Sequence, residues 1–319
     1  MAFQNFRDFM EHAVREYYSS NRALKDFFTA PELDRAFGEA LAEFFSKHLC
    51  EFDKPVLLEL GAGRGILARD ILNYYRENYP QLFKNIKYYI YEFSPYLIEK
   101  QKQVLRNFPN VEWVENLPKI EGIIFSNEFF DTLPVHIIKG NKELYIDDSG
   151  NEIWLNVQDE RINEYINRMG YNGLDQVLEV CLDCIDFLKK ISESLIQGYH
   201  MVIDYGYTSE ELPRFPEGTV VAYRDHKVIK DFTKGAGSVD ITAHVNFSAL
   251  IEYGKDFGLE TILFQNQRDF LMHIPTFLNE LEKLSWEEDA GSVERLSRLK
   301  TMLVSMGDKF KVLLQRKLS

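Results

Sequence analysis

Apolar positions recur three and four residues apart over residues 6–18 and 33–49, which predicts two amphipathic helices at the start of the chain. Between them, Thr29 and Pro31 mark a break and a fresh helix start. The pattern then changes. Residues 55–60 form a short continuous apolar run ending in a glycine-rich turn, as a buried parallel strand does. Helical period returns over 66–79. Residues 86–93, 111–115 and 121–130 read as strands, with a helix over 95–108. Strands alternating with helices in this way predict βαβ units and a parallel sheet.

The alternation pauses after Pro134. Residues 135–157 read as antiparallel strands with turns at Gly140-Asn141 and Ser149-Gly150, and 174–197 as one long amphipathic helix. A core strand follows at 200–206, then an irregular segment over 207–245 that holds Gly235 and Gly237. Loops of that length are usually functional or disordered. Asn246 and Gly258 cap a helix, 260–272 reads as a last strand, and helices are expected from there to Ser319. The expected organisation is a helical arm over 1–50, a doubly wound, mostly parallel α/β core over 51–273 with insertions at about 136–197 and 207–245, and C-terminal helices over 274–319.

Composition changes this picture little. The chain has 319 residues, 45% hydrophobic and 27% charged, ordinary values that exclude disordered and fibrous classes. Its net charge of −13 argues against a nucleic-acid or membrane-surface partner and suits a cationic one. The first residues lack the pattern of a signal peptide and are too acidic for a transit peptide. Three cysteines, Cys50, Cys181 and Cys184, make no disulfide framework, so the expected compartment is the cytoplasm. Cys181 and Cys184 form a CxxC with no second pair to complete a zinc site. The pair is read as lying inside a helix, so no metal or redox role is expected.

The glycine turn carries the chemistry. It reads Glu59-Leu60-Gly61-Ala62-Gly63-Arg64-Gly65, at the carboxyl end of the first core strand, where open α/β sheets bind ligands. A dinucleotide loop would put its third glycine at position 66, which is Ile66. The spacing instead resembles the first motif of class I (Rossmann-like) methyltransferases that use S-adenosylmethionine. The second strand ends in Glu92-Phe93-Ser94; a carboxylate there can accept two hydrogen bonds from a ribose diol. Ser94 with Pro95 also reads as a helix cap. The fourth strand ends in Asn127-Glu128-Phe129-Phe130-Asp131, where class I methyltransferases orient the acceptor.

Longer stretches resemble one family, the MidA-type methyltransferases, which include a mitochondrial assembly factor that methylates an arginine in a respiratory complex I subunit. The resemblance covers Thr29 to Leu33, Phe37-Gly38-Glu39, the glycine turn (Ala62 standing where the family has Pro), Asn127 to His136, Ile203 to Gly206, Tyr223-Arg224 with His226, and Asp240 to Phe247, where Asn246 replaces an expected Asp. Met306-Gly307 and Phe310 to Val312 recur as well.

The resemblance implies S-adenosylmethionine as cofactor, S-adenosylhomocysteine as product, and an arginine on a protein as acceptor. Glu59, Gly61, Ala62, Gly63, Gly65, Glu92, Phe93, Ser94 and Asn127 are then expected to line the cofactor. Phe28, Thr29, Pro31 and Glu32 would close over it as a lid. Glu128 is the first candidate to hold the guanidinium, Asp131 the second; Asp240 and His244 would shape the substrate side, with His244 able to accept a proton. A small-molecule O- or N-methyltransferase and a non-catalytic assembly chaperone are the alternatives.

Overall fold

A computed structural model describes residues 3–20, 29–224, 227–229, 233 and 239–318, with Arg224, Lys227 and Val228 through their backbones alone. Phe28, His226, Gly235, Gly237 and the side chain of Arg224 therefore lie outside the described residues. The chain forms two units, each assembled from three separate stretches. The expected segments 1–50, 51–273 and 274–319 divide it differently: the helix Phe6–Tyr18 lies in one unit and the helix Ala36–Leu49 in the other.

The sheet unit comprises Phe28–Phe129, Lys190–Tyr205 and Phe257–Ser319. Its strands are β1 (Val56–Leu60), β2 (Lys87–Tyr91), β3 (Val111–Val114), β4 (Ile120–Asn127), β5 (Leu195–Tyr207), β6 (Glu260–Asn266) and β7 (Phe310–Lys317). They lie in the order β3-β2-β1-β4-β5-β7-β6. β1 to β5 run parallel, with Leu58 opposite Tyr89 on β2 and Ile124 on β4. β7 lies antiparallel between β5 and β6. Helices α1 (Ile66–Asn78) and α2 (Pro95–Val104) follow β1 and β2. Leu57, Leu58 and Leu60 are all buried, which explains an apolar run without alternation. The order reverses between β1 and β4, so this fold's ligand crevice is expected at the carboxyl ends of those two strands.

Two expectations near the C-terminus need correction. The strand over 260–272 ends at Asn266 and becomes the helix Gln267–Leu271, and the run to Ser319 is not all helical, because β7 occupies Phe310–Lys317. Val312, Leu313 and Leu314 are buried in succession. Such a run is ambiguous between helix and strand until its partners, β5 and β6, are known.

The accessory unit comprises Met1–Phe27, Phe130–Lys189 and Gly206–Asp256. Asn5 caps the helix Phe6–Tyr18, its Oδ1 accepting from Asp8 N–H at 2.8 Å. The antiparallel stretch forms as expected: His136–Lys139, Lys142–Asp147 and Glu152–Asn156 pair through their turns. The single helix expected over 174–197 does not. The chain forms a strand, Val177–Val180, paired with His136–Lys139, and only then the helix Leu182–Ser194. A four-residue strand abutting a helix of compatible period leaves no break in the hydrophobic pattern to read. A small sheet places Val221–Arg224 between Lys227–Ile229 and Asp240–Thr242. Phe6, Phe9, Met10 and Val14 pack with Ile137, Leu144 and Ile241 in this unit's core.

Candidate functional site

In the sheet unit, the glycine turn leaves β1 with three left-handed residues, Gly61 (φ 67°), Gly63 (φ 51°) and Gly65 (φ 79°). Only glycine occupies that region without penalty. Space is a second constraint at Gly61, where a Cβ would stand 2.8 Å from the Phe129 ring. Gly65 delivers the chain into α1, whose first amides have no helical acceptor. The turn thus offers bare backbone at the point where the sheet order reverses.

Glu92 stands beside it, buried at the end of β2. Its Oε1 accepts from Ser94 N–H at 3.0 Å and its Oε2 from the Gln101 amide at 3.1 Å. Burial raises its carboxyl above the ordinary range, and these donors pull it back. Each oxygen keeps a lone pair for a ribose hydroxyl. The Ser94 hydroxyl caps α2, accepting from Leu97 N–H at 3.2 Å, as its sequence context predicted. Phe93 is exposed and Ala62 buried.

Gln101 is the residue that sequence reasoning missed. Its amide nitrogen donates to the Gly63 carbonyl at 2.9 Å as well as to Glu92, and its amide oxygen accepts from the Trp113 indole at 2.8 Å. One fully buried side chain therefore ties the glycine turn to the acidic strand end. A signal existed: Gln101 lies four residues after Leu97, a polar residue on the buried face of α2. We expect Gln101→Leu to weaken S-adenosylhomocysteine binding about tenfold, since it leaves a buried carbonyl and a buried carboxylate each short of a donor. Calorimetry should find that loss greater at pH of about 6 than at about 8, because Glu92 loses a donor that favours its charged form.

Glu59 is buried near the carboxyl end of β1. Its Oε2 accepts from the Tyr88 hydroxyl at 2.7 Å, and burial pushes its carboxyl up to about 7. A raised carboxyl binds its proton more tightly in the folded state, so stability falls as pH rises from about 4.5 through 7. Glu59→Gln should flatten that fall by about 3 kcal/mol, read from urea unfolding at about pH 5 and 8. Equal slopes in the two proteins would contradict this.

The segment Thr29–Leu33 also belongs to the sheet unit. Glu32 accepts from Thr29 N–H at 3.4 Å and pairs with Arg64 of the glycine turn at 3.4 Å, and Pro31 is buried. Of the expected lid residues, Glu32 thus reaches the glycine turn through an ion pair. Arg64 was not foreseen in this role.

At the end of β4, Glu128 has φ 53°, the one non-glycine residue in the left-handed region among those described. Its N–H donates to Ile203 O at 2.9 Å, and the next amide, Phe129 N–H, donates to Asp204 Oδ2 at 3.2 Å. Asp204, wholly buried, also accepts from Tyr205 N–H at 2.9 Å. It fixes the turn rather than presenting its charge. The Glu128 carboxylate accepts from the Asn127 amide at 3.1 Å.

In the accessory unit, Asp131 and Asp240 are buried and flank Tyr223, whose hydroxyl is made less acidic by burial and then by those two charges. Tyr223 and Asp240 are paired across strands, and the Tyr18 hydroxyl donates to Asp240 at 3.5 Å. The structure thus brings Asp131, Asp240 and Tyr223 together. His244 N–H donates to the Thr219 hydroxyl at 3.0 Å, and the His244 ring packs edge-on against Phe215. Asn246, where an aspartate was expected, donates to the hydroxyls of Tyr165 and Tyr171 at 3.0 and 2.9 Å and caps the following helix.

Residues 36–265 match the family model described as "Putative S-adenosyl-L-methionine-dependent methyltransferase". The chain belongs to this family. Its cofactor is S-adenosylmethionine, and the left-handed glycine turn beside a buried, doubly bonded Glu92 fits a nucleoside-bearing ligand of that kind. A solved structure from Burkholderia thailandensis, bound to S-adenosyl-homocysteine, is 26% identical, has a TM-score of 0.84 and covers 99% of this chain and 88% of its own. Its likeness shows the class I fold. Among named proteins, the protein arginine methyltransferase NDUFAF7 homolog, mitochondrial, of Caenorhabditis elegans is 25% identical over 90% of this chain and 74% of its own length. Protein arginine methyltransferase NDUFAF7, mitochondrial, of Xenopus tropicalis is 27% identical over 76% of this chain and 64% of its own. This chain therefore spans about two thirds to three quarters of those relatives' length.

Those mitochondrial names overturn the cytoplasmic expectation. A low cysteine count speaks against an oxidising compartment and does not distinguish among reducing ones. No helix among the described residues is long and apolar enough to cross a membrane.

Proposed function

We propose that this methyltransferase acts on the guanidinium of an arginine in a protein. The observation that carries the reading is Glu128: a carboxylate at the end of β4, held in a left-handed conformation that costs a non-glycine residue about 1 kcal/mol or more. Strain of this kind persists where the surroundings over-determine it, and here Ile203 and Asp204 do so. The names of the worm and frog relatives support the same acceptor.

The bound cofactor supplies an electrophilic methyl group on a sulfonium centre. The chain's own residues do the rest by alignment. Glu59, Gly61, Ala62, Gly63, Gly65, Glu92, Phe93, Ser94 and Asn127 line the cofactor, with Thr29, Pro31 and Glu32 at the lid. Glu92 takes the ribose hydroxyls, while the Gln101 amide holds its carboxylate in place and favours its charged form. An arginine is protonated at neutral pH, so one nitrogen must lose a proton to attack. The Glu128 carboxylate accepts N–H bonds from the guanidinium and concentrates positive charge on the nitrogens that do not react. Asp131 and Asp240 are the carboxylates proposed to recognise arginine in the accessory unit, and His244 the proton acceptor.

The test is incubation with S-adenosylmethionine carrying a deuterated methyl group and a mixture of arginine-rich proteins. After hydrolysis, mass spectrometry should find the label in methylarginine. Label confined to methyllysine, or to small molecules alone, would overturn the acceptor assignment while leaving the cofactor intact.

A further inference from the structure

Cys181 and Cys184 take no part in the reaction above. Cys181 stands between the strand Val177–Val180 and the helix Leu182–Ser194, and Cys184 lies in that helix's first turn. The expectation of a pair inside a helix is therefore corrected, and with it the reason for discounting redox chemistry. The two sulfurs are joined in a disulfide. Cys184 N–H, a first-turn amide without a helical acceptor, donates to Cys181 Sγ at 3.2 Å. Cys181 is half-buried and Cys184 buried.

Backbone carbonyls also face the pair. Pro134 O lies 3.4 Å and Leu133 O 3.9 Å from Cys181 Sγ, and Phe130 O lies 3.7 Å from Cys184 Sγ. A disulfide has no hydrogen to give them, whereas a thiol is a weak donor. The same backbone thus suits both states: sulfurs near enough to join, and an acceptor for each S–H once they part. These carbonyls flank Asp131, whose own carbonyl accepts from Ala243 N–H at 2.9 Å.

We propose that Cys181 and Cys184 form a reversible dithiol–disulfide site that exchanges with a protein dithiol, and that its redox state sets how firmly the Phe130–Pro134 turn is held. The incoming thiolate attacks Cys181 Sγ, the more accessible sulfur. The Cys181–Cys184 bond breaks, its electron pair leaves on Cys184 Sγ, and that sulfur takes a proton from water. The partner's second thiolate then attacks the partner sulfur of the mixed disulfide. Cys181 leaves as a thiolate facing Cys184 N–H and is protonated in turn. One disulfide and two thiols become two thiols and one disulfide, so the exchange balances. Asp183, the acid between the cysteines, is gripped by Arg7 at 2.6 and 2.9 Å, which offsets its repulsion of a thiolate.

The test uses the full chain and dithiothreitol as the probe dithiol. Samples equilibrated across ratios of reduced to oxidised dithiothreitol are acid-quenched, alkylated under denaturing conditions and weighed. Exposed Cys50 takes an adduct throughout. The native protein should pass reversibly between three adducts and one, and Cys181→Ser should carry two at every ratio. Hydrogen exchange at the Ala243 amide should be about fivefold faster in the oxidised form, which lacks the thiol donors. Three adducts at every ratio, a disulfide reducible only after unfolding, an oxidisable Cys181→Ser variant, or equal Ala243 exchange in both forms would each overturn the proposal.

Discussion

Glu92→Ala is expected to raise the dissociation constant of S-adenosylhomocysteine by about a hundredfold or more. The carboxylate is buried and already fixed by Ser94 N–H and the Gln101 amide, so it meets a ribose diol without reorganising. Hydrogen bonds to a charged group contribute about 1.5–3 kcal/mol each, and two of them amount to at least two powers of ten. The variant also leaves the Gln101 amide with one acceptor, Gly63 O, where the native chain gives it two. Glu92→Gln, which keeps the shape and loses the charge, should fall between the two. Calorimetry on all three proteins checks this. Binding within a factor of three of wild type for Glu92→Ala would remove Glu92 from the site.

Glu128→Gly should be far less active and more stable. The left-handed backbone at Glu128 suits glycine, so relief of strain should add about 1 kcal/mol to the unfolding free energy. Removal of the carboxylate should lower methyl transfer by about a hundredfold to ten-thousandfold, the range for loss of a group acting in the transition state. Glu128→Gln separates the effects: it keeps the strain and loses the charge, so activity should fall without a gain in stability. S-adenosylhomocysteine affinity should stay near wild type in both. A destabilised Glu128→Gly would mean that the side chain itself holds the turn, and full activity in Glu128→Gln would remove it from the chemistry.

The sheet and its glycine turn were legible because short apolar runs, glycines and acidic strand ends lie close together in sequence. The parallel core from β1 to β5 could be read for that reason, and so could the Ser94 cap. What was missed depends on distant partners. β7 looks helical until β5 and β6 border it, and the strand Val177–Val180 merges with the helix after it until His136–Lys139 pairs with it. The same merging hid Cys181 at a helix start. Gln101 and Asp204 act through backbone atoms 38 and 75 residues away, and no local pattern announces such a bond. Charge marks Glu128 in the sequence, whereas its strained backbone is visible only in three dimensions.

The most direct test is a crystal structure of this chain with S-adenosylhomocysteine. The ligand should lie along Gly61–Gly65, with both ribose hydroxyls within about 3 Å of the Glu92 carboxylate oxygens. A nucleoside bound elsewhere, or a ribose held by some other group with Glu92 still bonded to Ser94 and Gln101 alone, would contradict the site built here.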